Sequence, residues 1–186
     1  IVDWDLHHGN GTQNMFYNSR EVLYFSIHQY PYYPGTGGIN EVGKDDGAGY
    51  TVNVPLPAGM GDKEYIKIFT EILEPITNQY KPEFILVSTG FDTYFEDPLG
   101  GMRVTPQGFA QMTRFLKEAA DKHCGGKIVF ILEGGYNLDG LWLCSKEVIE
   151  ELLEKRTTDY GDLKEKTNAD RVIEEVKKTQ SQFWKF

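Results

Sequence analysis

Cysteine is scarce in this 186-residue chain, which holds only Cys124 and Cys144. Two thiols are too few for a disulfide framework, and both read as reduced, buried or part-buried thiols of a cytoplasmic protein. Positive charge is in short supply too. With 19 Lys and Arg against 28 Asp and Glu, the net charge is −9. That balance argues against DNA or RNA as the main partner, because phosphate contacts need a basic face. A basic small substrate or a lysine-bearing peptide suits the sign better. No apolar run is long enough to span a bilayer. The sequence also lacks an initial Met and a signal peptide, and Ile1 already reads as the inside of a buried strand. The expectation is a later portion of a longer protein, with a homo-oligomer among its possible states.

What is present suits one soluble domain with a sizeable core. Residues 1–5 read as a strand ended by Gly9 and Gly11, with Thr12 placed to cap a short helix to Tyr17. Val22–Ile27 is apolar nearly throughout, as a buried parallel strand should be. From His28 to Gly49 the chain is irregular and carries Tyr30, Tyr32 and Tyr33 beside Pro31 and Pro34. A loop of that length in a compact domain is usually functional. Tyr50–Val54 returns to strand. Residues 62–80 have helical spacing that Pro75 should kink or divide. Phe84–Ser88 and Ile128–Leu132 are further strands, and a helix opening at Thr105-Pro106 lies between them, stopped by Gly125 and Gly126. Another helix is predicted from Leu138 to Lys155, a polar loop over 156–170 and a helix over 171–180, after which Phe183, Trp184 and Phe186 pack back. Alternating strands and helices predict an α/β fold with a mostly parallel sheet.

Chemistry concentrates at strand ends, where open α/β sheets bind ligands. In an extended segment Asp3, Asp5 and His7 point the same way. A later strand ends in Asp92 and the last in Tyr136. If these ends adjoin, Asp5, His7 and Asp92 make a His-plus-two-carboxylate set whose open position marks a catalytic metal. The Tyr136 hydroxyl is then placed to donate to an oxyanion. Gly134 and Gly135 let backbone approach a substrate. Each piece alone has a plainer reading. Asp-x-Asp-x-His also suits capping, Asp92 a turn, Tyr136 a rim aromatic, and Tyr32 and Tyr33 loop packing. His28 reads as a structural hydrogen-bonder and His123 as a surface residue.

The ordered set is more specific. Asp-Trp-Asp-Leu-His-His-Gly-Asn-Gly-Thr is followed by Tyr-Tyr-Pro-Gly-Thr-Gly. Ser-Thr-Gly-Phe-Asp-Thr with Asp-Pro-Leu-Gly-Gly comes next, and then Glu-Gly-Gly-Tyr-Asn. Over Ile1 to about Leu153 this resembles the zinc-dependent histone deacetylase family, with its acetylpolyamine and acetoin-utilisation relatives. Glu133 before Gly-Gly-Tyr looks more like the class II and bacterial or archaeal members.

The resemblance implies a three-layer arginase/deacetylase-like fold, of which residues 1–186 are the C-terminal portion of a single domain. It implies zinc, or iron(II), on Asp5, His7 and Asp92. Tyr136 would hold the acetyl carbonyl, and Tyr33 would be a wall of the acyl-lysine tunnel. Potassium would lie by Asp3, Asp5, His7, Ser26 and Ile27, partly through backbone. A second monovalent site would involve Phe16, Ser19, Val22 and Tyr50. The substrate would be an acetylated lysine of a peptide or protein, or an acetylated polyamine. The family's paired catalytic histidines lie upstream of the first motif and have no counterpart here, since His7 is already a ligand. Little or no turnover is therefore expected from this chain alone. A two-manganese ureohydrolase needs an aspartate two residues after Asp92, where Tyr94 stands. A non-catalytic acyl-lysine or metal-binding domain would have no need of Tyr136.

Overall fold

The structure is a computed structural model that describes residues 1–155, 159–161 and 165–186. Five strands form one sheet: β1 (Val2–Asp3), β2 (Tyr24–Gln29), β3 (Thr51–Leu56), β4 (Ile85–Thr89) and β5 (Ile128–Leu132). Their order is β3-β2-β1-β4-β5 and every pairing is parallel, so the predicted mostly parallel sheet is wholly so among the described residues. The central strand β1 is only two residues long. Val2 lies between Phe25 and Val87, and Asp3 between Ser26 and Ser88. The chain runs outward from β1 through β2 to β3, then returns to the other side for β4 and β5. The order therefore reverses between β1 and β4, the place where parallel sheets open a crevice at their strand ends.

Helix α1 spans Asn10–Phe16. Its cap is Gly9 without a side-chain bond, so Thr12 lies inside the helix instead of capping it. Strand β2 runs two residues past the predicted Ile27 and takes in His28, which is fully buried. The 62–80 stretch is α2 (Asp62–Ile68), one π turn (Phe69–Leu73) and α3 (Glu74–Tyr80). The wide turn just before Pro75 lets the helix continue past a residue that has no N–H to give. Helix α4 (Pro106–Cys124) starts where Thr105 accepts the amide of Gly108, and stops at Gly125 with φ +63°. Asn137 likewise caps α5 (Leu138–Leu152), which ends short of the predicted Lys155. The predicted 156–170 loop falls partly outside the described residues. Helix α6 (Asp170–Gln180) covers the β3 edge, where Gln180 donates to the Thr51 carbonyl and the Trp184 indole to that of Gly49.

The core holds Trp4, Phe25, Phe69 and Phe109, all fully buried. Trp4 meets Phe109 edge-on at 6.1 Å and Phe130 at 5.8 Å. Each such ring contributes about 1.5–3 kcal/mol through the apolar surface it removes from water. At the other edge, β5 turns Phe130 inward while Val129 and Ile131 stay exposed on the opposite face. Both cysteines are buried and unbridged. Among the described residues no helix is long and apolar enough to cross a membrane.

Candidate metal centre

The first motif departs from extended geometry right after Asp3. The Asp5 amide donates to Asp3 Oδ1 at 3.0 Å, and the His7 amide donates to Asp5 Oδ1 at 2.8 Å. Two successive aspartate turns thus bend the segment after Asp3. The strand therefore ends at Asp3, short of the expected residue 5, while Asp3, Asp5 and His7 stay on the side away from Val2, Trp4 and Leu6. Trp4 and Leu6 sink into the core, Asp5 and His7 meet at the strand ends, and Asp3 accepts the Tyr24 hydroxyl at 2.8 Å.

Asp92 arrives at the end of β4 and is fully buried. Its Oδ1 accepts the Leu6 amide at 2.8 Å. Beyond the 3.2 Å approach of His7 Nδ1, its Oδ2 meets no partner among the described residues. His7 Nδ1 is also 3.1 Å from Asp5 Oδ1. Donor atoms of Asp5, His7 and Asp92 all lie within 4.8 Å of one another, and no other such cluster occurs among the described residues. Two ligands sharing a tetrahedral ion at roughly 2.0–2.1 Å stand about 3.3 Å apart. The two short separations match that edge. Gly134 leaves the space open, because a Cβ there would press on the carboxylates of Asp92 and Asp5. Its amide donates to Asp5 Oδ2 at 3.2 Å. The residues present fit a divalent cation.

Charge supports the fit. Hydrogen bonds to Asp5 and Asp92 raise His7 to about 10, so a protonated imidazole balances the two acids. Burial pushes Asp92 up, against the hydrogen bond from His7. Burial also works on Asp5, but the bonds from His7 and Gly134 outweigh it and hold Asp5 low. With His7 neutral, the same atoms become a donor set of net charge about −2, suited to Zn²⁺ or Fe²⁺.

Tyr136 follows β5 with its ring exposed and its amide bonded to Asp97 Oδ2 at 2.8 Å. The other oxygen of Asp97 accepts the amides of Leu99 and Gly100. Asp97 was not singled out by the sequence reading; its Asp-Pro-Leu-Gly setting was the available signal. Partial desolvation, then the nearby Asp92 and Asp5, hold the Tyr136 phenol above its usual value. Gly135 takes φ +139° against Phe91.

Tyr33 is exposed and stands edge-on to His7 at 6.2 Å. Tyr32 is nearer at 5.6 Å, and its hydroxyl donates to the Leu99 carbonyl. His28 bonds Ser26 Oγ and the Gly37 carbonyl, the structural role expected of it. His123 bonds Asn78. Tyr94 is buried with its hydroxyl toward Glu96. Of the suggested potassium set, Asp3 is buried and pushed up to about 8 mainly by desolvation, Ser26 is engaged with His28, and Ile27 is fully buried. Of the suggested second monovalent set, Phe16, Ser19, Val22 and Tyr50, the Phe16 carbonyl accepts the Ser19 amide and the Tyr50 carbonyl accepts the Tyr24 amide.

Comparison with known proteins decides the lineage. Residues 1–152 match the family model described as the histone deacetylase domain. The chain belongs to the histone deacetylase family. It is 51% identical over 140 residues to a probable deacetylase of Archaeoglobus fulgidus, covering 75% of this chain and 39% of that protein. It is 48% identical over 157 residues to histone deacetylase 15 of Arabidopsis thaliana, covering 82% of this chain and 28% of that one. The solved structure of the histone deacetylase Clr3 superposes with a TM-score of 0.92 at 39% identity, over all of this chain and 32% of that one. The arginase/deacetylase-like α/β fold is thereby established. The chain spans well under half the length of these curated relatives.

Proposed function

We propose that this chain carries the metal-holding and oxyanion-holding part of a deacetylase that cleaves the amide of acetylated lysine in proteins, or of related acetylated amines. The observation that carries this reading is the convergence of Asp5, His7 and Asp92 beneath the Tyr136 turn, at the point where the strand order reverses. Asp5, His7 and Asp92 would hold zinc, with iron(II) as the alternative. When bound, the ion supplies Lewis acidity toward the acyl oxygen and brings the pKa of its water to roughly 7. His7 would ligate only when neutral, so loading the ion would displace to solvent the proton that Asp5 and Asp92 hold on its ring. Tyr136 keeps its proton and would donate a hydrogen bond to the oxyanion that develops on the acetyl oxygen. Tyr32 and Tyr33, whose rings stand 5.6 and 6.2 Å from that of His7, would shelter an aliphatic lysine stem while its amide reaches the centre. Asp3, buried and unpaired with any Lys or Arg side chain among the described residues, supports the monovalent cation suggested beside it. Acetate and the free amine are the products.

Activating water also needs a general base. On this reading the base is the histidine pair that the family resemblance places upstream of the first motif, and residues 1–186 alone give little or no turnover. The test compares this chain with a form extended by its upstream sequence, each loaded with zinc and assayed on an acetyl-lysine peptide. The expected result is about one zinc in both, turnover only in the extended form, and loss of that turnover on Tyr136→Phe. Full turnover by residues 1–186, or an extended form that binds no metal, overturns the reading.

A further inference from the structure

His8, next to the proposed ligand His7, faces away from the metal centre into a buried polar network. The network has one self-consistent hydrogen-bond direction. Glu41 as a carboxylate only accepts. Its Oε1 takes the amides of Gly37 at 3.0 Å and Gly38 at 2.9 Å, and its Oε2 takes the Gln13 side-chain amide. The Gln13 carbonyl oxygen must then point the other way. It accepts from Asn53 Nδ2 at 2.8 Å and from His8 Nε2 at 3.0 Å. His8 therefore carries its proton on Nε2, and its bare Nδ1 accepts the Thr36 hydroxyl at 2.8 Å. His28 completes the set by donating to the Gly37 carbonyl at 3.0 Å. Gly37 adopts φ +87°, and a Cβ there would collide with the His8 and His28 rings. The Thr36–Gly38 crossing is thus bonded by its hydroxyl, both its amides and a carbonyl. Tyr32 and Tyr33 lie just before that crossing, in the same loop.

We propose that Glu41, Gln13, Asn53 and His8 form a direction-locked relay that positions the Tyr32–Tyr33 wall against His7 and so sets the grip on an acyl chain. None of the four touches substrate; they are positioning residues. The inference rests on the acyl-lysine reading of the site. Its distinguishing consequence is chemical. In Glu41→Gln the new amide group faces Gln13 as a donor. Gln13 must turn over to accept, which presents its NH₂ to both Asn53 and His8: Asn53 turns to offer its Oδ1, and the His8 proton is driven from Nε2 to Nδ1. An inert structural patch has no reason to move that proton.

The test uses the zinc-loaded chain, with ¹⁵N NMR of the histidine rings to read the tautomer and calorimetry with hexanohydroxamic acid to read the grip. The parent should show His8 protonated on Nε2. Glu41→Gln should move the proton to Nδ1, leave zinc content unchanged and weaken the probe roughly five- to tenfold, the weight of about one net hydrogen bond. Thr36→Val, which alters only the loop end, should weaken the probe by a similar factor while His8 stays on Nε2. An unmoved tautomer in Glu41→Gln, or parent-like probe binding in both variants, overturns the proposal. A parent that binds neither zinc nor probe overturns the site reading and the positioning role with it. That result is distinguishable, because the tautomer readout still tests the relay directly.

Discussion

The Leu6 amide and Asp92 Oδ1 are 2.8 Å apart across 86 residues of sequence, fully buried. This bond makes Asp92 both a brace for the first motif and a proposed ligand, and the two roles can be separated. Asp92→Asn keeps an oxygen for Leu6 but replaces the Oδ2 that faces His7 with a neutral NH₂. Asp92→Ala removes both. Equilibrium dialysis should show zinc affinity down by more than about 100-fold in each, beyond the range for outer partners. Denaturation should show Asp92→Asn near the parent and Asp92→Ala weaker by about 1–3 kcal/mol, the cost of a buried amide left unpaired. Asparagine binding zinc like the parent would remove Asp92 from the ligand set.

Asp97 links the Tyr136 amide to those of Leu99 and Gly100. Asp97→Ala leaves three amides without their acceptor and frees the turn that aims the phenol. In a catalytically active form of the protein, kcat should fall about tenfold or more, the usual weight of a misplaced transition-state donor. KM and zinc content should change little. A drop in zinc content instead would show that Asp97 acts on the metal ligands and not on Tyr136.

Acid should loosen the contact between α2 and α6. Hydrogen bonds from Lys67 and then Thr167 hold Asp170 down at about 2. Lys67 Nζ stands 2.7 Å from it. A carboxylate depressed in the folded state contributes stability above its unfolded pKa, near 3.9, and loses it as pH falls through the folded value. The stability gap between the parent and Asp170→Asn should therefore be constant above about pH 5 and shrink toward pH 2. Asp170 is partly exposed, so screening keeps the gap small. A gap that widens on acidification would reverse the assigned sign.

The sequence made the strands, the α4 cap and the meeting of Asp5, His7 and Asp92 legible, because each rests on local pattern or on the family motif. Three things were hidden. The alternation of Asp3, Asp5 and His7 against Val2, Trp4 and Leu6 was legible, but not that bonds from each aspartate to the amide two residues on end the strand at Asp3. The π turn before Pro75 is a tertiary accommodation that helical spacing cannot express. Asp97 and the His8–Gln13–Glu41 group work through backbone amides far along the chain, a partnership with no spacing rule.

Strand β5 should tolerate change on one face and resist it on the other. Val129 and Ile131 are 43% and 48% exposed, so nearly half of each is already in water. Phe130, between them, is half-buried and packs on Trp4 at 5.8 Å. Alternation along a strand makes this contrast sharp, since neighbouring residues see opposite environments. Lysine at 129 or 131 should cost below about 1 kcal/mol, as surface changes on an edge strand do. Phe130→Ala opens space beside a fully buried indole and should cost about 2–3 kcal/mol, toward the low end for aromatic truncations because the ring is only partly enclosed. Urea denaturation of the three variants measures the difference directly. Equal losses on both faces would mean that the outward face of β5 is covered in solution.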